Sequence, residues 1–372
     1  MVVKKRNASI ELLRIVAILM ILCLHYNSHA QVLLELGMPA SGVQIYATII
    51  EAICIPGLNT YVLISGFFLS KGKVRPSRVI TLLCQVYFYT ILISLAMMAV
   101  GTYVVGSDDS MYKLVQYLFP ISSEHYWFVT AYIIMYVMSP VMNAACESLT
   151  RKQMKAVIMG LLIWFSVVKS FVPVMFVTDH HGYDFGWFLV LYLIAAYIRK
   201  YDVQLFYDAK RSAAVFLVSV VIIAAMSIGL YYINLYRGGL VYYAGVPLDL
   251  NFIFTLTGSL GLFSFFRYFR MKENWFADAV RFAAPFTFGV YLLHMHIEIQ
   301  DRWLWWLEHI FGEVPKTNVI LFACHQLICI LIVFAAGVFV DWIRKMIFDF
   351  LGRVLHETWI FKRIRQWDED LC

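Results

Sequence analysis

Apolar residues in this chain gather in long blocks separated by short polar and basic stretches, near 10–30, 45–70, 79–101, 126–145, 155–177, 185–198, 212–235, 249–269, 283–300 and 318–342. Most approach the roughly 17–25 residues that a helix needs to cross about 30 Å of hydrocarbon. The pattern predicts an all-α fold, a polytopic membrane helix bundle of about ten transmembrane helices. The first block follows Lys4, Lys5 and Arg6 as a signal peptide would, yet it contains Glu11, Arg14 and His25 and has no small-residue cleavage site. It therefore predicts a retained helix.

Composition strengthens this picture. With 62% hydrophobic and 15% charged residues over 372 positions, the chain lacks the polar surface of a soluble domain. The net charge of +6 is explained by the distribution of basic residues. If both termini are cytoplasmic, the loops on the opposite side hold only Lys113, Arg237, Arg302 and Lys316, and only Arg14 and Lys169 lie within spans. All other basic residues then face the cytoplasm, as the positive-inside rule requires. Topology and anionic lipid account for the charge, and a nucleic-acid partner is not needed. The expected location is a bacterial inner (cytoplasmic) membrane, multi-pass, N-in and C-in.

One transmembrane domain over 1–345 and a cytoplasmic or interfacial tail over 346–372 divide the chain. The tail mixes Trp359, Ile360 and Phe361 with basic residues, as a helix lying on the inner leaflet does, and its acidic end, Asp368 to Asp370, is expected to fray. There is no internal repeat and no loop long enough for a soluble domain. Six of the seven cysteines lie in or beside apolar blocks without metal-ligand spacing, so they read as packing residues, and no metal is expected.

Candidate chemistry lies in the ionisable residues the membrane tolerates, because such groups normally face a bundle interior or a water-filled cavity. Glu11, Arg14, Ile18, Leu22 and His25 share one helical face, with Arg14 and His25 about three turns, roughly 16 Å, apart. A fixed cation near the cytoplasm and a titratable base deeper in would suit the phosphates and the thioester of a coenzyme A donor. A snorkelling arginine paired with Glu11, and a histidine bonded to a neighbouring helix, are the structural alternatives. Lys71, Lys73, Arg75 and Arg78 form a basic cluster after the second block. Arg75 and Arg78 are the stronger candidates for phosphate contacts, although positive-inside bias explains the cluster equally well. On the opposite side stand Glu124, His125 and Trp127, then Asp179, His180, His181 and Asp184; carboxylates and aromatics of this kind grip sugars or anchor the interface. His294 lies at a depth similar to that of His25. Lys169 is an intramembrane charge with no partner apparent in the sequence.

The stretch Ser9-Ile10-Glu11-Leu12-Leu13-Arg14-Ile15-Val16-Ala17, running on to His25, resembles the opening helix of the acyltransferase-3 family of integral membrane O-acyltransferases. Three further segments resemble that family in the same order: Ile64-Ser65-Gly66-Phe67-Phe68-Leu69, then His125-Tyr126-Trp127-Phe128-Val129-Thr130-Ala131-Tyr132 with Ser139-Pro140, then Thr287 through His294. The resemblance covers nearly the whole chain. It implies transfer of an acyl group, acetyl by default, from cytoplasmic acyl-CoA to a hydroxyl of an extracytoplasmic or lipid-linked glycan. By the same resemblance His25 is expected to be the catalytic base or a transient acyl carrier, and Arg14 to help hold the acyl-CoA donor. The residue types add Arg75 and Arg78 as further candidates for holding the donor, and Glu11, Glu124, His125, Trp127, Tyr132 and His294 as candidates for binding the acceptor or supporting the site.

The competing class is a proton-coupled transporter or flippase of a polar or lipid-linked solute, in which intramembrane Arg and His form the binding site. Such proteins often carry related halves. This sequence has no half-repeat, which favours the enzyme.

Overall fold

The computed structural model describes residues 5–101, 115–172 and 180–370, with the side chain of Glu124 excepted. All regular structure in the described residues is helical. Among the described residues, nine helical segments are long and apolar enough to cross a membrane, the pattern of a multi-pass membrane protein. The helices that position the site are α1 (Ala8–His29), α2 (Gly42–Cys54), α3 (Pro56–Leu69), α4 (Pro76–Ala99) and α5 (Trp127–Ser148). Then come α6 (Arg151–Phe171) and α7 (Phe185–Lys200), α8 (Ala209–Arg237) and α9 (Ile253–Tyr268), α10 (Trp275–Ala283) and α11 (Thr287–His294). Last are α12 (Trp303–Phe311), α13 (Val319–Leu355) and α14 (Trp359–Asp370).

Helix α1 is central, packing against α2, α3, α9, α10, α11 and α13. Its start is fixed by Asn7, whose side chain accepts from the Ser9 N–H at 3.0 Å. At the periphery, α8 and α13 expose Leu217, Val218, Val221, Ile320, Leu321 and Leu327, the outward apolar surface expected where lipid replaces water.

Several expected spans are broken rather than straight. The block at 45–70 is two helices meeting at Ile55 and Pro56, since proline supplies no N–H to continue the ladder. The Pro56 carbonyl ties the break to its surroundings, accepting from Thr60 Oγ1 at 2.8 Å and Ser259 Oγ at 3.0 Å. The ninth span lies earlier than the block at 283–300, over Trp275–His294, and divides into α10 and α11 around a tight turn, Ala284–Phe286, that contains Pro285. A π-helical turn, Ile163–Val167, interrupts α6.

The block at 185–198 differs most from expectation. Helix α7 has 16 residues and is too short to rank with the nine, yet Trp187, Phe188, Leu191, Tyr192 and Ala195 are fully buried. It is an interior helix, tied to α3 by Trp187 Nε1 donating to Asn59 Oδ1 at 3.0 Å and to α5 by Tyr192 OH donating to Asn143 Oδ1 at 2.7 Å. Gly66 permits the α3–α7 contact, since a Cβ there would stand 3.1 Å from Ala195 Cβ and from the Tyr192 Cα.

At the C-terminal end, α13 continues unbroken to Leu355. The acidic end expected to fray is helical, and Asp368 of α14 accepts from the Ser77 N–H at 3.0 Å in the first turn of α4. Arg344, just ahead of the tail expected over 346–372, is buried and paired with Asp341, Nε to Oδ1 at 2.6 Å.

Candidate active site

One face of α1 carries Arg14, Ile18, Ile21, His25 and Ser28, at intervals of three and four, and these line two neighbouring cavities. The first, about 230 Å³, surrounds His25 with Glu51 of α2, Trp127 and Phe128 of α5, Tyr183, and Tyr291 of α11. The second, about 290 Å³, surrounds Arg14 with Ser65 and Phe68 of α3, Arg78 of α4, Tyr132 of α5 and Pro285. Tyr61, Phe128, Thr287 and Phe288 line both cavities and form a neck between them. Thr287 Oγ1 donates to Ala284 O at 2.9 Å, so the 3.3 Å contact with Tyr61 is a bond donated by the tyrosine hydroxyl. A third cavity, about 140 Å³, shares Leu69, Arg78, Leu82 and Tyr132 with the Arg14 chamber and extends it towards Tyr136.

Arg14 in this corridor and His294 behind its lining retain unused hydrogen-bonding capacity. Arg14 lies with its guanidinium carbon 5.9 Å from the centre of the Phe68 ring, and its buried Nε has no hydrogen-bond partner among the described residues. The expected alternative of an Arg14–Glu11 pair is not formed; Glu11 is buried with Oε2 also unpartnered, and it lines neither chamber. His294 is fully buried, with its ring 5.2 Å from that of His25. A carbonyl only accepts, so the 2.7 Å contact of His294 Nδ1 with Val290 O places the proton on Nδ1. Nε2 is left as a buried lone-pair acceptor without a partner among the described residues.

The other sequence candidates divide clearly. Trp127 reaches the His25 chamber, its ring 5.2 Å from that of Tyr183. Tyr132 and Arg78 line the Arg14 chamber. Arg75 does not line it; exposed, it precedes α4, and its backbone N–H donates to Tyr136 OH at 3.2 Å. His125 is turned away from the corridor by the 3₁₀ turn Glu124–Tyr126, which places it against His296 at a ring separation of 4.8 Å. Burial there pushes its imidazole down to about 4. His125 lines neither chamber. The Glu124 side chain and Asp179 lie outside the described residues.

Lys169 has a partner the sequence did not suggest. Its Nζ lies 2.7 Å from Asp249 Oδ2, which also meets His181 Nδ1 at 3.0 Å, and the pair lines neither chamber. Asp184 caps α7, accepting from the Trp187 N–H at 2.9 Å. Sequence reasoning missed Glu51 and Tyr61. The signal for Glu51 was available, since it is the only acidic residue in the block at 45–70.

Two arginines, Arg14 and Arg78, and the half-buried His25 with His294 beside it thus lie along two adjoining cavities inside a multi-helix membrane fold. The family model described as an acyltransferase domain matches residues 7–342, and the chain belongs to that family, acyltransferase-3. Searches of curated proteins and of solved structures gave no match.

Proposed function

We propose that this protein is a membrane O-acyltransferase that carries an acyl group, acetyl in the first instance, from cytoplasmic acyl-CoA to a hydroxyl of an extracytoplasmic or lipid-linked glycan. The observation that carries the reading is the corridor, with arginines Arg14 and Arg78 at one end and His25 beyond the neck. We place the arginine-rich end at the cytoplasmic face of a bacterial inner membrane, with both termini on that side. Arg14 and Arg78, with Arg75 at the mouth, grip the donor phosphates by charge-assisted hydrogen bonds. The pantetheine arm, long enough for the roughly 16 Å between Arg14 and His25, threads the neck and presents the thioester to the imidazole.

There the neutral His25 ring takes the proton of the acceptor hydroxyl as its oxygen attacks the thioester carbonyl. The C–O bond forms, the C–S bond breaks, and the coenzyme A sulfur leaves as thiolate, which is protonated to the free thiol. His294, with its proton held on Nδ1, presents an acceptor to an N–H of His25 and favours the tautomer whose other nitrogen is free for the hydroxyl.

The test is binding of a non-hydrolysable acetyl-CoA analogue to purified protein in detergent. Arg14→Ala is expected to weaken it by about 10- to 100-fold, the worth of hydrogen bonds to a charged group. His25→Ala should leave it unchanged. Folded wild-type protein that fails to bind the analogue refutes an acetyl donor.

A further inference from the structure

We propose that Glu51 is the specificity-determining residue for the acceptor, binding hydroxyls of a neutral sugar ring in the His25 chamber; this rests on the O-acyltransferase reading above. Glu51 belongs to α2, a helix that contributes no other residue to that chamber, and its side chain is buried at the chamber wall. A buried carboxylate is costly unless its oxygens are satisfied, so its presence needs a reason.

Part of the reason lies behind it. Asn27 Nδ2 donates to Glu51 Oε2 at 2.8 Å and to Ala47 O at 3.3 Å. Asn27 Oδ1 accepts from Gln326 Nε2 at 2.7 Å. Two buried polar side chains, Asn27 of α1 directly and Gln326 of α13 through it, thus fix the Glu51 carboxyl group. They leave most of its roughly four lone-pair directions unused. No basic side chain pairs with it among the described residues. An ion pair is therefore not what holds it in place.

In front of the carboxylate are an indole and a phenol, Trp127 and Tyr183, with rings 5.2 Å apart at an interplanar angle of 66°. A carboxyl group beside aromatic faces matches a sugar, whose hydroxyls both donate and accept and whose C–H faces lie against rings. The chamber volume of about 230 Å³ limits the bound portion to a single small ring. Because α1 supplies both His25 to the chamber and Asn27 to the carboxylate, gripping one hydroxyl at Glu51 sets the position of another hydroxyl relative to the imidazole. Glu51 is thus the determinant of which hydroxyl is acylated.

The experiment measures transfer from radiolabelled acetyl-CoA to methyl glucoside, methyl galactoside and methyl mannoside by the full chain in lipid vesicles. Analogue binding is followed in parallel. Glu51→Gln is expected to raise the glycoside KM at least tenfold and blur the position acylated, with kcat and analogue affinity retained; Glu51→Asp should recover part of the loss. Analogue binding certifies the fold of each variant, and if Glu51→Gln fails that criterion Glu51→Asp is read by the same KM shift. An unchanged glycoside KM and unchanged regiochemistry overturn the assignment. So does wild-type protein that binds the analogue but acylates none of the glycosides, whereas folded wild-type protein that does not bind the analogue refutes the acetyl donor of the reading above and leaves Glu51 to be tested with another acyl donor.

Discussion

Replacing His25 by alanine is expected to lower acyl transfer by about 10²–10⁴-fold, the usual contribution of a positioned general base. The donor should bind as before, because the cations that hold it lie beyond the neck at Arg14 and Arg78. His294→Phe is the companion variant. It keeps an aromatic ring beside His25 but removes the Nε2 lone pair that the bond to Val290 O leaves free. A positioning role predicts a lower kcat with the donor KM and thermal stability unchanged, whereas a packing role predicts the reverse. Acid-quenched enzyme checks the chemistry directly. Radiolabel retained covalently at His25 would replace direct base catalysis with an acyl-histidine carrier. Transfer that persists in His25→Ala would remove this residue from the reaction.

The sequence revealed most where function rests on one helix. Arg14 and His25 lie on the same face of α1 because 11 residues is close to three turns, and no tertiary information is needed to see it. The glycine motifs were also legible as positions, although their reasons are tertiary: Gly66 lies against α7 and Gly289 against Asp341. Hydropathy gave the helices but not their roles. It cannot separate a 16-residue interior helix such as α7 from a lipid-facing span, because both are continuously apolar. Nor could the sequence place His125, whose direction is set by a single 3₁₀ turn ahead of α5. The neck escaped for a different reason. Tyr61 and Thr287 are 226 positions apart and meet only because α3 and α11 both flank α1.

The largest effect on stability is expected at Gly289, where a methyl group would overlap the carboxyl of Asp341. That carboxylate is completely buried in α13. It accepts from Gln85 Nε2 and Tyr89 OH of α4, each at 3.0 Å, and from Arg344 Nε and Nη2 at 2.6 and 3.0 Å. Overpacking alone typically costs about 1–3 kcal/mol. Breaking a buried ion pair costs about 3–5 kcal/mol, since the partner is left charged and uncompensated. Gly289→Ala must therefore either push α11 away from α13 or displace Asp341 from Arg344, and both outcomes lower the apparent melting temperature in detergent. The first route also opens a second close approach, since Gly337 of α13 lies so near Val290 that a Cβ there would stand 2.7 Å from the Val290 Cα. Asp341→Gly removes the overlapping atoms, so the double variant should be less destabilised than the sum of the singles. The consequence reaches the chemistry because α11 carries Thr287 to the neck and His294 to His25. Activity of Gly289→Ala measured well below its melting temperature should therefore still be reduced, and wild-type melting would show that the two helices have room which this packing denies them.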